Sequence, residues 1–231
     1  MAQQGAVGAV LFRLCSAGTL STRAVRKSMN PAYRPMLATL VDDPFDDERW
    51  VFETKWDGFR LITENRGHAV RLWSRNGIDV TTRYAVLLPA LQKIEGSCVI
   101  DGELCALDAH GRSRFQLLQN ALNKKARLLY VVFDALFVGG KDIREKPLLE
   151  RKKILKALMP RDPLLRYSEH VTEFGTREFV KAQRAHEEGV IAKRATGLVR
   201  GKTPAQIREM LNGLQRKLHE RINGSLWTFL T

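Results

Sequence analysis

Eight consecutive residues hold the densest reactive chemistry in the chain: Glu53-Thr54-Lys55-Trp56-Asp57-Gly58-Phe59-Arg60. A lysine attacks an electrophile only as the neutral amine, and the ordinary lysine pKa lies far too high for that. Neighbouring cations and partial burial lower it, and Arg60 or a bound metal ion could supply such a charge. Gly58 lets the backbone approach a ligand closely. The same octet also reads as an amphipathic strand with a solvated Lys–Asp face, so these eight residues leave two readings open. Further acids and cations stand at Arg75, Asp101, Glu103, Glu188 and Lys193. The five histidines have no metal-ligand spacing, and Trp50, Trp56 and Trp73 are expected to pack rather than to stack on a base.

The elements that must position these residues follow from pattern. Residues 50–64 alternate as a strand that breaks at Asp57-Gly58 and resumes, which puts Val51, Glu53, Lys55 and Asp57 on one face. Asn65-Arg66-Gly67 turns into a second strand over 69–74, and Asn76-Gly77 signals another turn. Residues 82–94 have helical period, disturbed by Pro89. The pattern then predicts a strand over 98–108, a helix over 115–123, a strand over 128–138 and a helix over 147–158 opened by Pro147. A short strand near 165–171, a helix over 176–186 and a strand over 188–194 complete the body. Ile207, Met210, Leu211, Leu214 and Leu218 give 204–222 a helical period. Strands joined by tight turns, with helices between, predict an α+β domain on mainly antiparallel sheets. Lys193 lies five residues beyond Glu188, on the opposite face of a regular strand, so a bulge or bend must intervene if both serve one site.

Lys-x-Asp-Gly-x-Arg resembles the first motif of the covalent nucleotidyl transferases, which are DNA ligases, RNA ligases and capping enzymes. Four more stretches resemble ligase motifs in the family's order: Ser74-Arg75-Asn76-Gly77, Asp101-Gly102-Glu103, Phe133-Asp134-Ala135-Leu136 and Glu188-Gly189-Val190-Ile191-Ala192-Lys193. Five ordered motifs are far more specific than one. Their wording is closest to bacterial ligases of the ligase D and ligase C kind, and the resemblance runs from Tyr33 to Arg194.

The resemblance implies an ATP-grasp-like nucleotidyltransferase fold, α+β, with antiparallel sheets flanked by helices. It implies Lys55 as the nucleophile that takes AMP from ATP, with Mg2+ or Mn2+ as the metal. Glu53, Lys55, Arg60, Arg75, Glu103, Phe133 and Lys193 become the expected ATP contacts. Phe133 would stack on adenine, and Glu53 would help define the adenine pocket. Glu103 and Glu188 become the expected metal ligands, since carboxylates suit magnesium and phosphoryl transfer needs its charge neutralised. Asp101 is expected only to brace its turn. The implied partner is nicked or broken double-stranded DNA, with end-joining proteins as further partners, no membrane, and a monomeric, cytoplasmic, nucleoid-associated protein. A fifth motif, a tryptophan followed by two alternating lysines, would fall near Gln206. The sequence there reads Gln206-Ile207-Arg208-Glu209-Met210, and Trp227 is followed by Thr228, Phe229 and Leu230. The OB-fold module expected after that motif is not read either, so the DNA steps are expected to be poor. A catalytically impaired fragment that binds nucleotide or DNA therefore stays open, as does an RNA ligase or a GTP-dependent capping-type enzyme.

The organisation expected is an extension over 1–28, an adenylation domain over 29–203 and a divergent, helical tail over 204–231. The net charge of +13 favours a polyanionic partner. Much of it lies at the ends: residues 1–28 hold four basic residues and no acid, and 195–231 hold six against two. Residues 1–28 fit an organellar transit peptide by composition, or a disordered linker, or an upstream start ahead of Met29. Cys15, Cys98 and Cys105 form no CxxC pair, which points to a reducing compartment.

Overall fold

Turn chemistry sets the first hairpin. In the computed structural model, which describes residues 33, 35, 36, 38–41, 43–120, 127–199 and 226–230, β1 is Thr39–Val41, β2 Asp47–Thr54, β3 Phe59–Arg66 and β4 Val70–Ser74. Between β3 and β4, Asn65 Oδ1 accepts a 2.8 Å hydrogen bond from the Gly67 amide, and Gly67 adopts φ +79°. That left-handed position is open to glycine at no steric cost. The helix predicted over 82–94 is cut down to a 3-10 turn, Ala85–Leu87, and a short α1, Leu88–Leu91. Proline at 89 lacks the amide a continuing helix would need and sits instead in the first turn of α1.

β5 (Ser97–Leu107), α2 (Phe115–Asn120), β6 (Arg127–Val138), α3 (Leu148–Leu158), α4 (Gly175–Arg184) and β10 (Gly189–Arg194) fall close to the pattern's expectation, whereas the two-residue β7 (Lys141–Asp142) was not among the expected elements. The strand expected near 165–171 is two strands, β8 (Leu165–Tyr167) and β9 (Val171–Glu173). They serve different sheets: β8 runs parallel to β6, and β9 runs antiparallel to β2. Residues 168–170 carry the chain across, and the Ser168 amide is anchored to Val132 O at 2.8 Å. The helix predicted over 204–222 lies outside the described residues. Leu226–Leu230 forms β11, parallel to β10 and antiparallel to β1. Its Leu-Trp-Thr-Phe-Leu run is rich in strand-favouring residues.

The result is two sheets with helices outside, as the resemblance implied. One has the order β1-β11-β10-β2-β9; the other runs β4-β3-β5-β6-β7, with β8 added on β6. α4 covers the first sheet, where Trp50, Phe52, Val190 and Ala192 meet Ala182. α3 covers β6, and its Leu155 joins the main core with Leu61, Leu104, Tyr130 and Val132. β2 is therefore buried on both faces: Trp50, Val51, Phe52 and Glu53 are all buried. The solvated face expected from alternation is absent because that face looks onto the second sheet rather than water. No helix among the described residues is long and apolar enough to cross a membrane.

Candidate active site

Lys55 follows the end of β2, and its amide donates to Gly189 O at 2.9 Å. Its Nζ pairs with the Glu188 carboxylate; the two side chains keep 21% and 28% exposure, enough for a ligand to reach both. Glu188 immediately precedes β10, and Gly189 takes φ +152°. That glycine supplies the bend the spacing required. Glu188 turns to Lys55, while Ile191 and Lys193 continue in register along β2, Ile191 opposite Glu53 and Lys193 opposite Val51.

The other members of the octet have structural work. Asp57 Oδ2 accepts from the Phe115 amide at 3.0 Å and caps α2, while the Asp57 amide donates to Ser113 Oγ at 3.0 Å. Gly58 is needed for a strand-to-strand approach, not for a ligand: a Cβ there would stand 2.2 Å from Leu104 O. Gly102 is held likewise, since its Cβ would stand 2.5 Å from Val131 O and 2.8 Å from the Tyr130 ring. Trp56 packs on Cys105, Leu107 and Leu129, and its Nε1 reaches Ser168 Oγ at 3.3 Å.

Arg60 on β3 faces Glu103 on β5 in register. Its guanidinium grips Asp101 with two bonds, Nε to Oδ1 at 2.5 Å and Nη2 to Oδ2 at 2.7 Å. Asp101 thus does more than brace a turn. It fixes the arginine, and bidentate pairing of this kind defines orientation as well as charge. Burial, followed by the Arg60 charge, governs Asp101, and the net effect is a raised pKa. Burial works against the Arg60 charge, but the Asp101 charge and hydrogen bonds outweigh it, so the Arg60 pKa is raised as well. Glu103 is pushed up to about 7, chiefly by burial, with Arg60 and Lys55 pulling it down and Asp101 and Glu188 pushing it up.

Glu53 is not a surface partner of Lys55. It is 3% exposed, and its Oε1 lies 2.9 Å from Lys193 Nζ and 3.0 Å from Lys152 Nζ. These are ion-pair contacts whose angles fall outside hydrogen-bond geometry. Burial opposes ionisation of Glu53, and the two ammonium charges outweigh it, so its pKa stays below the ordinary value. Burial lowers Lys193. The Phe133 ring meets both nearby cations, Lys193 Nζ at 4.3 Å and the Arg60 guanidinium at 4.5 Å from its centroid. A base stacking on that ring would take the place of a cation.

Two clusters therefore adjoin, with Arg60 common to both: Lys55, Glu188, Glu103 and Arg60, then Arg60, Phe133, Lys193 and Glu53. Arg75 stands apart. It is exposed, one residue past Ser74, whose strand partner is Leu61. Among the described residues no group of three or more Asp, Glu, His or Cys is arranged for a metal. Glu103 and Glu188 still suit magnesium, which takes one or two carboxylates and completes its shell with water and phosphate oxygens. A carboxyl group that burial drives toward the protonated form is one a cation would stabilise. Pattern missed Lys152 and Arg151, two consecutive residues of α3. Arg151 is 2% exposed and grips Asp134 of the Phe133-Asp134 motif at 2.8 and 2.9 Å. Nothing in a Lys- and Arg-rich helix marks which cations turn inward; only their place after Pro147, on the face toward β6, would have hinted at it.

Residues 35–201 match the profile of the ATP-dependent DNA ligase domain. The multifunctional non-homologous end joining protein LigD of Pseudomonas aeruginosa is 37% identical over 202 residues, covering 80% of this chain and 23% of that protein. The SPbeta prophage-derived DNA ligase-like protein LigB of Bacillus subtilis is 31% identical over 164 residues, 70% of this chain and 60% of that one. Among solved structures, the ligase domain of Mycobacterium tuberculosis LigD aligns with a TM-score of 0.67 at 30% identity, covering 86% of this chain and 59% of that one. The mycobacterial DNA ligase D complexed with ATP and MES aligns with a TM-score of 0.66 at 29% identity, covering 86% and 60%. The chain thus spans about a quarter of the LigD protein and about three fifths of the solved ligase chains. With the profile spanning most of its length, the chain belongs to the ATP-dependent DNA ligase domain family.

Proposed function

We propose that this chain carries out the nucleotidyl-transfer chemistry of an ATP-dependent DNA ligase, with Lys55 as the nucleophile. The observation that carries the reading is the pairing of Lys55 with Glu188 beside Glu103 and Arg60. Lys55 Nζ attacks the α-phosphorus of ATP, a P–N bond forms, the P–O bond to the leaving group breaks, and pyrophosphate departs. Glu188, already in contact with Nζ, orients the lysine, and the proton the amine must shed goes to water. Arg60, fixed by Asp101, offers guanidinium charge to the phosphates. Phe133 offers its ring to the adenine, and Glu53 accepts a hydrogen bond from the 6-amino group. Arg75, on the exposed turn after β4, would contact the nucleotide from outside. Glu103 and Glu188 would hold magnesium or manganese, which neutralises charge that develops on the phosphates. The AMP would then pass to a DNA 5′-phosphate and be displaced by a 3′-hydroxyl, on nicked or broken duplex DNA, with the protein acting as a monomer.

Incubating the protein with magnesium and ATP labelled on the α-phosphate tests this. Label should stay with the denatured protein, and ATP labelled on the γ-phosphate should leave none. Labelling by GTP but not ATP would move the chain to the capping-type reading. A second reading, nucleotide binding with slow AMP transfer, is favoured by β11. That strand runs beside β10, and Leu226–Leu230 carries no cation. A labelling yield well below one AMP per chain at saturating ATP would support it.

A further inference from the structure

Lys152 belongs to none of the five motifs, yet it is the most completely buried cation described, at 0% exposure. An ammonium taken out of water must be compensated by its neighbours, so its contacts define its task. Nζ donates to the carbonyl oxygens of Phe133 at 3.2 Å and Ser168 at 3.1 Å, and lies 3.0 Å from Glu53 Oε1. The Tyr167 ring covers it, with its centroid 4.9 Å away. One side chain of α3 thereby ties together three walls of the cleft: the acid on β2, the backbone under the stacking ring on β6, and the crossover after β8. A purely structural need at this spot would be met at least as well by apolar side chains in place of the whole Glu53–Lys152 pair.

We propose that Lys152 is a positioning residue for nucleotide selection, holding the Glu53 carboxylate, together with Lys193, in the orientation that accepts a hydrogen bond from the exocyclic amino group of adenine. The inference rests on the nucleotide site proposed above. An ionised carboxylate only accepts hydrogen bonds. Adenine presents an amino donor at its 6-position, whereas guanine presents a carbonyl oxygen, which the carboxylate would repel. Glu53 reads this difference only while it stays ionised and in one rotamer. Both ammonium groups meet the same oxygen, Oε1, so removing one leaves the carboxylate to follow Lys193 alone and makes protonation easier. Lys193 cannot hold the geometry by itself, because its ammonium also lies over the Phe133 ring, where the base is to stack.

The test compares wild type, Lys152→Met, Lys152→Gln, Glu53→Gln and the Glu53→Gln/Lys152→Met double variant. Covalent labelling with ATP and with GTP, in magnesium, gives the ratio of kcat/KM for the two nucleotides. Lys152→Gln keeps a donor for the two carbonyls, which guards against a variant that merely fails to fold, and melting curves confirm that each variant is native. Lys152→Met and Lys152→Gln should each lower the ATP-to-GTP ratio by roughly tenfold or more, mainly through a higher KM for ATP. In the double variant, Lys152→Met should lower the ratio no further than Glu53→Gln alone, since the lysine acts through that carboxylate. Equal losses with both nucleotides, or losses that multiply in the double variant, would overturn the proposal. If the wild type labels with neither nucleotide, the proposed function fails on its own account. Equilibrium binding of ATP and GTP to the same variants then supplies the ratio, and an unchanged ratio would overturn the role of Lys152.

Discussion

Glu103 carries a conflict between place and charge. Burial is the main force raising its pKa from the ordinary carboxylate range to about 7. The folded pKa lies above the unfolded one, so the folded state is penalised once the group ionises. The penalty is absent below about pH 4.5, grows as pH rises, and is complete above about pH 7. Glu103→Gln, which removes the charge and keeps the shape, should therefore match wild type in melting temperature at pH 4.5. It should exceed wild type at pH 8 in metal-free buffer, by on the order of 1–2 kcal/mol. A constant gap between the two pH values would contradict this. Glu103 was legible in sequence as an acid after a glycine, but its conflict was not, because burial depends on strands far away in the chain. The same holds for Asp101, whose bidentate hold on Arg60 spans 41 residues, and for Lys152, which pattern leaves among many surface-like cations of a charged helix.

The elements explain why the motif glycines cannot vary. Gly58 starts the turn into β3 directly against the β5 backbone, and any Cβ there would meet Leu104 O at 2.2 Å. Gly58→Ala should cost about 3 kcal/mol or more in urea unfolding, through displaced backbone rather than lost ligand contact. A variant with normal stability and lost labelling would show that the glycine serves the nucleotide after all. Asp57→Ala should cost about 1 kcal/mol, as the loss of a helix cap does. Most strands and helices were legible from alternation, period and turn residues. The failures have physical causes. Pro89 interrupts the helix expected over 82–94, and residues 168–170 pass between sheets in the middle of what reads as one strand. β2 shows alternation without a wet face, because a second sheet, not solvent, lies against it.

At the scale of the whole molecule, the reactive side chains come from strands of both sheets, and the chain as a whole carries a net charge of +13. If duplex DNA is the partner, affinity for a nicked duplex should fall steeply with salt, by roughly tenfold or more between 50 and 200 mM. Salt-insensitive binding would argue against backbone contacts. Removing residues 1–28 should flatten that dependence while leaving lysine labelling unchanged, because every residue of the proposed site lies between Glu53 and Lys193. Lys55 Nζ is the atom proposed to take the nucleotide. Intact-mass analysis after incubation with ATP and magnesium, followed by peptide mapping, tests it most directly. One added adenylyl group is expected on Lys55, removed by excess pyrophosphate and absent in Lys55→Ala. An adenylyl group on another residue, or one that persists in Lys55→Ala, would contradict it.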